Sequence, residues 1–294
     1  MAHSAFQRVL ESLRPQPGSS RRAAKGPALR ARSVCVVSGK GGTGKSVVSA
    51  SLSRSLAQRG RTLLVDADLG VGNAHILQGL SPGASLADLF TGRSPASLLA
   101  PIHDQLDLLA GGSGVARLAS ATRSDLARIG DALAELERDY AYLVADCGAG
   151  ISEATLSLAR AADLLVVVTT PDLTAMTDAY ALLKVLGMPP NGPAPLLLVN
   201  RAPDAATAAD TAERVRGVAQ RFLGRAPDWV GWLPADPAVT ASVNARCPLI
   251  EHDPRAPAAR AFPELANAIR ERLDALHPGG LGRILAADPR AVRA

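Results

Sequence analysis

Eight consecutive residues, Gly39-Lys40-Gly41-Gly42-Thr43-Gly44-Lys45-Ser46, satisfy the pattern G-x-x-x-x-G-K-[ST]. Each residue type has a chemical task. Glycines let successive backbone N–H groups turn inward around phosphate oxygens. A helix starting near Gly44 adds its positive end. The Lys45 ammonium neutralises β- and γ-phosphate charge, and the Ser46 hydroxyl can ligate Mg²⁺. The expected ligand is ATP with Mg²⁺, held by Gly39, Gly41, Gly42, Thr43, Gly44, Lys45, Ser46 and the adjoining Val47. A glycine-rich turn without nucleotide is the plain alternative.

Three aspartates follow apolar runs: Asp66 and Asp68 in Leu64-Val65-Asp66-Ala67-Asp68, and Asp146 at the end of Tyr142–Asp146. An acid at a strand end can hold Mg²⁺ directly or through water, which suits Asp146. A second acid must orient the attacking water. One such aspartate alone is a weak signal, because turns favour Asp. Three with a phosphate loop form a strong set.

These groups need a scaffold that brings strand ends together. Candidate strands are Ser33–Ser38, Thr62–Asp66, Leu106–Ala110, Tyr142–Asp146, Leu164–Thr169, Pro195–Asn200 and Trp229–Leu233. Helices are expected from the phosphate loop to about Arg59 and over 123–138, 152–161, 174–186, 206–222 and 257–274. Apolar runs without alternation imply strands buried on both faces. The expected class is α/β, a P-loop NTPase-type, mostly parallel sheet flanked by helices on both faces. In such a sheet the carboxyl ends of the strands line the ligand crevice, so the three aspartates should face the phosphate loop.

Residues 1–32 carry seven Lys or Arg against Glu11 alone, an excess of six, so the +5 of the whole chain leaves the remainder at −1. The expected organisation is a basic N-terminal arm and linker over 1–32, one ATPase domain over 33–276 and a loosely ordered tail over 277–294. A near-neutral body argues against tracking nucleic-acid phosphates. Cys35, Cys147 and Cys247 are widely spaced with no CxxC pair, which speaks against a disulfide framework or zinc site and for a reducing cytosol. Cys147 reads as a small buried apolar side chain.

Lys40, directly after the first glycine, is unusual. The string Lys40-Gly41-Gly42-Thr43-Gly44-Lys45-Ser46 resembles the deviant Walker A loop of the MinD/ParA family. That resemblance implies an ATP-dependent homodimer in which Lys40 reaches the partner's nucleotide while Lys45 acts within its own chain. It implies Asp68, in switch I, as the residue that positions water, with Asp66 supporting the loop and the magnesium shell. Gly148 falls in switch II, where a backbone N–H can sense the γ-phosphate. Base recognition is implied for Asn200 and for the loop with Pro234 and Asp236.

Longer strings are similar to the FlhG/FleN branch, MinD-like regulators of flagellar number and placement. They include Asp146-Cys147-Gly148-Ala149-Gly150-Ile151-Ser152-Glu153, Thr174-Ala175-Met176-Thr177-Asp178-Ala179-Tyr180 and Val243-Asn244-Ala245-Arg246-Cys247-Pro248-Leu249. The resemblance covers roughly residues 33–276. It implies a slow, partner-stimulated ATPase that is cytoplasmic or peripheral on the cytoplasmic face of the inner membrane. Implied partners are a flagellar SRP-type GTPase, a C-ring protein or a transcription regulator. Two departures stand out. In the arm, Gln7 is present but Phe6 stands where the branch carries Asp. At the C-terminus, Leu281, Ile284 and Leu285 with Arg283 give only a weak membrane foot before Pro289. A ParA-type partition ATPase, a MinD-type division-site regulator and a small-molecule ligase or kinase are the competing readings on this fold. An iron–sulfur carrier would need paired cysteines after Asp146, and the sequence has none there.

Overall fold

Two layers of apolar residues alternate along the first strand, and this alternation organises the fold. In the computed structural model, which describes residues 31–112, 114, 116–188 and 194–287, β1 (Arg32–Ser38) sends Cys35 and Val37 into one core and Val34 and Val36 into the other. All four are fully buried. The other strands are β2 (Thr62–Ala67), β3 (Leu99–His103), β4 (Leu106–Leu109), β5 (Tyr142–Ala149), β6 (Leu164–Thr169), β7 (Leu196–Ala202) and β8 (Asp228–Pro234). They form one sheet in the order β3-β4-β2-β5-β1-β6-β7-β8. Every pairing is parallel except β3 with β4. β3 is absent from the sequence reading; it is a half-exposed edge strand containing Pro101, a residue tolerated only at edges.

The longer helices are α1 (Lys45–Ala57), α4 (Arg123–Leu136), α5 (Glu153–Ala161), α6 (Leu173–Leu186), α7 (Ala205–Leu223) and α10 (Pro257–Asp274). The shorter ones are α2 (Ala74–Leu77), α3 (Ala116–Ala119), α8 (Pro237–Asn244), α9 (Leu249–His252) and α11 (Leu281–Ala286). α1 and α10 bury residues in one core; α4 to α7 and α11 bury theirs in the other. The alternating pattern therefore yields the expected doubly covered parallel sheet.

The C-terminal boundary at 276 needs correction. α11 packs against α4, with Leu281, Ile284 and Leu285 all buried in the core. The residues read as a membrane foot are thus core residues here, and no helix among the described residues is long and apolar enough to cross a membrane. Two buried acids fasten this end. Asp163 Oδ1 accepts from Gly279 N at 2.6 Å, and its Oδ2 accepts from Ser33 N at 2.8 Å. Glu137 Oε1 accepts from Gly282 N at 2.8 Å. A six-residue helix is too short to show periodicity, and its partners lie more than a hundred residues upstream. Residues 288–294 of the expected tail, and the arm through residue 30, lie outside the described residues.

Glu137 supplies a testable pH dependence. Burial, above all, raises its carboxyl to about 7 against a usual 4.5. Between those values the folded chain holds a proton that the unfolded chain releases, so stability falls as pH rises through this window. Glu137→Gln keeps an acceptor for Gly282 and cannot ionise. At about 1.4 kcal/mol per pKa unit, it should gain up to about 3 kcal/mol over wild type above pH 7. The gain should vanish toward pH 4.5. Urea unfolding of both proteins across this range tests it; a pH-independent difference would mean Glu137 does not titrate in the window.

Candidate nucleotide site

β1 ends at Ser38 and the chain turns through the glycine loop into α1. Gly44 precedes α1 with φ 91°, and an added Cβ there would collide with the Asn200 amide, so only glycine serves. At Gly41 and Gly42, both exposed, an added Cβ would meet nothing within 4 Å, so space is open around this part of the loop. Three side chains from outside the loop tie its carbonyls. Ser38 Oγ donates to Lys40 O (2.6 Å), Asn200 Nδ2 to Thr43 O (2.7 Å) and Arg201 Nη1 to Gly42 O (3.2 Å). Lys45 is buried at the head of α1.

The acids gather as expected. Asp66 on β2 stands in register with Asp146 on β5, and both are fully buried. Asp146 Oδ1 accepts from Ser49 Oγ at 3.0 Å. Burial raises its pKa to about 6, opposed by bonds from Ser46 and Ser49 and by the Lys45 charge. Burial and then the Asp146 charge raise Asp66 to about 7. Asp66 is also a fastener: Oδ2 accepts from Ala74 N at 3.0 Å and Oδ1 from Asp68 N at 3.3 Å. Asp68 Oδ1 in turn accepts from Gly70 N and Val71 N, both at 3.2 Å, and lies beside Gly148. Lys40 projects outward, and its Nζ donates to Thr174 Oγ1 on α6 at 2.7 Å.

The residues expected to read the base have structural tasks. Besides donating to Thr43, Asn200 accepts from Arg201 N at 2.9 Å. Asp236 joins two helices: Oδ1 accepts from Ala238 N and Oδ2 from Ala258 N, each at 2.9 Å. Its carboxylate is therefore committed to this joint, and Pro234 ends β8 just before it. Arg201, which sequence reasoning missed, has φ 58°, unusual for a non-glycine residue. Its only sequence signal was a basic side chain directly after Asn200. The widely spaced cysteines also meet: Cys35 and Cys147 are buried on adjacent strands with sulfurs 2.7 Å apart, as free thiols. The contact with Cys35, then burial, pushes the Cys147 thiol up, which keeps it protonated and supports its reading as a core side chain.

Residues 34–238 match the family model described as the CobQ/CobB/MinD/ParA nucleotide binding domain. The chain belongs to this family. Within it, the chain is 34% identical over 244 residues to the antiactivator FleN of Pseudomonas aeruginosa, covering 80% of this chain and 85% of that protein. It is 36% identical over 155 residues to the flagellum site-determining protein YlxH of Helicobacter pylori, covering 52% of each. Its fold matches the septum site-determining protein MinD of Pyrococcus horikoshii, complexed with Mg-ADP, with a TM-score of 0.68 at 23% identity over 82% of this chain and 97% of that one. The sheet and helices are therefore those of a MinD/ParA-type P-loop NTPase.

A magnesium nucleotide fits the residues present. Space is open around Gly41 and Gly42, and two buried carboxylates, Asp66 and Asp146, stand in register on adjacent strands, with the Lys45 charge acting on Asp146. Among the described residues no three His, Cys, Asp or Glu side chains gather as a metal site. A cation here would draw on a hydroxyl, a carboxylate and the oxygens of the nucleotide, as Mg²⁺ does in phosphate sites.

Proposed function

We propose that this chain is an ATP-dependent dimerising switch that regulates flagellar number or placement. The reading rests on Lys40. Its ammonium sits on the outer side of the loop, held by one hydroxyl at Thr174, where it has no task toward phosphates in its own cradle. The switch segments and the start of α6 carry exposed apolar side chains: Val71 in switch I, Ile151 in switch II and Leu173 beside Thr174. A second copy placed there would bury them and bring each Lys40 to the other's nucleotide. Likeness to FleN and YlxH supports the flagellar role.

Within each copy, Lys45 and the loop amides bind phosphate, and Ser46 and Asp146 hold Mg²⁺ with Asp66 behind them. Mg²⁺ supplies charge neutralisation on the phosphates. Asp68 orients water, and Gly148 reports the γ-phosphate to switch II. Contacts made only with ATP bias the two switches, and hydrolysis resets them. Likeness to FleN also motivates a protein partner at the flagellar base or among its regulators, and a cytoplasmic location.

With ATP and Mg²⁺, the wild-type chain should sediment as a dimer and Lys40→Ala as a monomer. Equal dimerisation of both proteins removes the cross-subunit role. Cells carrying Lys40→Ala should then show altered flagellar counts under the microscope. A second reading, a kinase or ligase for a small substrate, draws on a pocket of about 440 Å³ beside Asp68 that includes Ser120, Ser152 and Thr155. Steady release of phosphate from ATP by the purified chain alone separates the switch from that enzyme.

A further inference from the structure

A groove of about 570 Å³ runs between the C-terminal end of α1 and the face of α10. Its apolar lining includes Leu56, Ile250, Pro254, Pro263 and Ala266. Arg59, Arg260 and Arg270 also line it, and none of its lining residues is a carboxylate. Arg59 and Arg260 are exposed and make no ion pair among the described residues. Arg270 gives Nη1 to Asp274 at 2.9 Å, while its Nε is buried without a partner among the described residues. Pro263 brings no N–H to the Ala259 carbonyl, and both residues line the groove. The groove thus joins cationic donors, an acceptor without its helical donor and apolar surface, on a body whose charge is otherwise near neutral.

Spacing selects the ligand. Arg260 and Arg270 lie ten residues apart along α10, or about 15 Å at a rise of about 1.5 Å per residue. That spacing suits an extended ligand with separated acids. We propose that this groove is a docking site for an acidic amphipathic peptide segment of a partner protein. Its apolar side chains rest on Ile250, Pro254 and Pro263, and its carboxylates, about three helical turns apart, meet Arg260 at one end and Arg59 with Arg270 at the other. The chain's own N-terminal arm is the wrong partner by charge, with seven Lys or Arg against one Glu over residues 1–32.

The test pans a display library of random twelve-residue peptides against the full chain and measures the enriched peptides by fluorescence anisotropy. Expected are acidic, amphipathic sequences that bind the Arg59→Glu/Arg260→Glu variant at least tenfold more weakly, with ATP turnover and melting temperature unchanged. Peptides with the matching acids replaced by lysine should recover binding to that variant. Failure to enrich acidic peptides, or equal binding to wild type and variant, overturns the proposal. So does inorganic tripolyphosphate displacing the peptide from the Lys45→Ala chain, because that outcome marks a compact-anion site. The groove does not depend on the dimer reading, and none of these measurements bears on Lys40.

Discussion

Asp68→Ala is expected to lower ATP turnover by about 10²–10⁴-fold, the usual scale for positioned acid–base assistance. Nucleotide affinity should survive, because Lys45 and the loop amides carry binding and Asp68 makes no bond to the loop. Asp68 instead accepts from Gly70 N and Val71 N within its own segment. That geometry offers a rival explanation for any loss, namely collapse of the switch turn. Asp68→Asn separates the two, since its amide oxygen can still accept both N–H groups but carries no charge toward water. A fall in both variants assigns the carboxylate to the reaction, whereas recovery in Asp68→Asn assigns it to holding the turn. The ATP-bound dimer should also persist longer in sedimentation when turnover is slow. Single-turnover phosphate release measures the rate, and wild-type release by the alanine variant would remove Asp68 from the mechanism.

Gly282→Leu is expected to cost about 4–9 kcal/mol, since burying a Leu or Ile side chain contributes roughly 1.5–3 kcal/mol and the packing of three such residues, Leu281, Ile284 and Leu285, is at stake. α11 crosses α4 where two glycines meet. An added Cβ on Gly282 would lie 2.5 Å from Gly130 O and overlap the backbone of Ala134, and one on Gly130 would lie 2.5 Å from Ala286 N. Backbone atoms cannot yield as a side-chain end can, so the helix must lift. That loss is a large share of the roughly 5–15 kcal/mol that holds a domain together. Urea unfolding monitors it, and Gly282→Ala should already show part of the effect. An unchanged midpoint for Gly282→Leu would return the domain boundary to residue 276.

The chemistry of this chain was legible wherever it lay in continuous segments. The phosphate loop is eight adjacent residues, and its glycines, lysine and serine each have one local task. Seven of the eight strands read as apolar runs; in the central ones burial on both faces removes the alternation that would otherwise mark them, while β8 is a half-exposed edge strand. Asp66, Asp68 and Asp146 were found from strand ends alone, since a parallel sheet always presents those ends together.

Only the tertiary structure decided what depends on pairs distant in sequence. Asn200 holds Thr43 across 157 residues, and Asp163 and Glu137 fasten a C-terminal helix across more than a hundred. Cys35 and Cys147 meet because β1 lies beside β5. Asp236 proved to be a joint between α8 and α10, and three scattered arginines line one groove. In each case the residue types were ordinary and the spacing carried no local signal. Periodicity reports which face of an element is buried. It does not report which other element covers that face, and that choice places each hydrogen-bond donor against its acceptor.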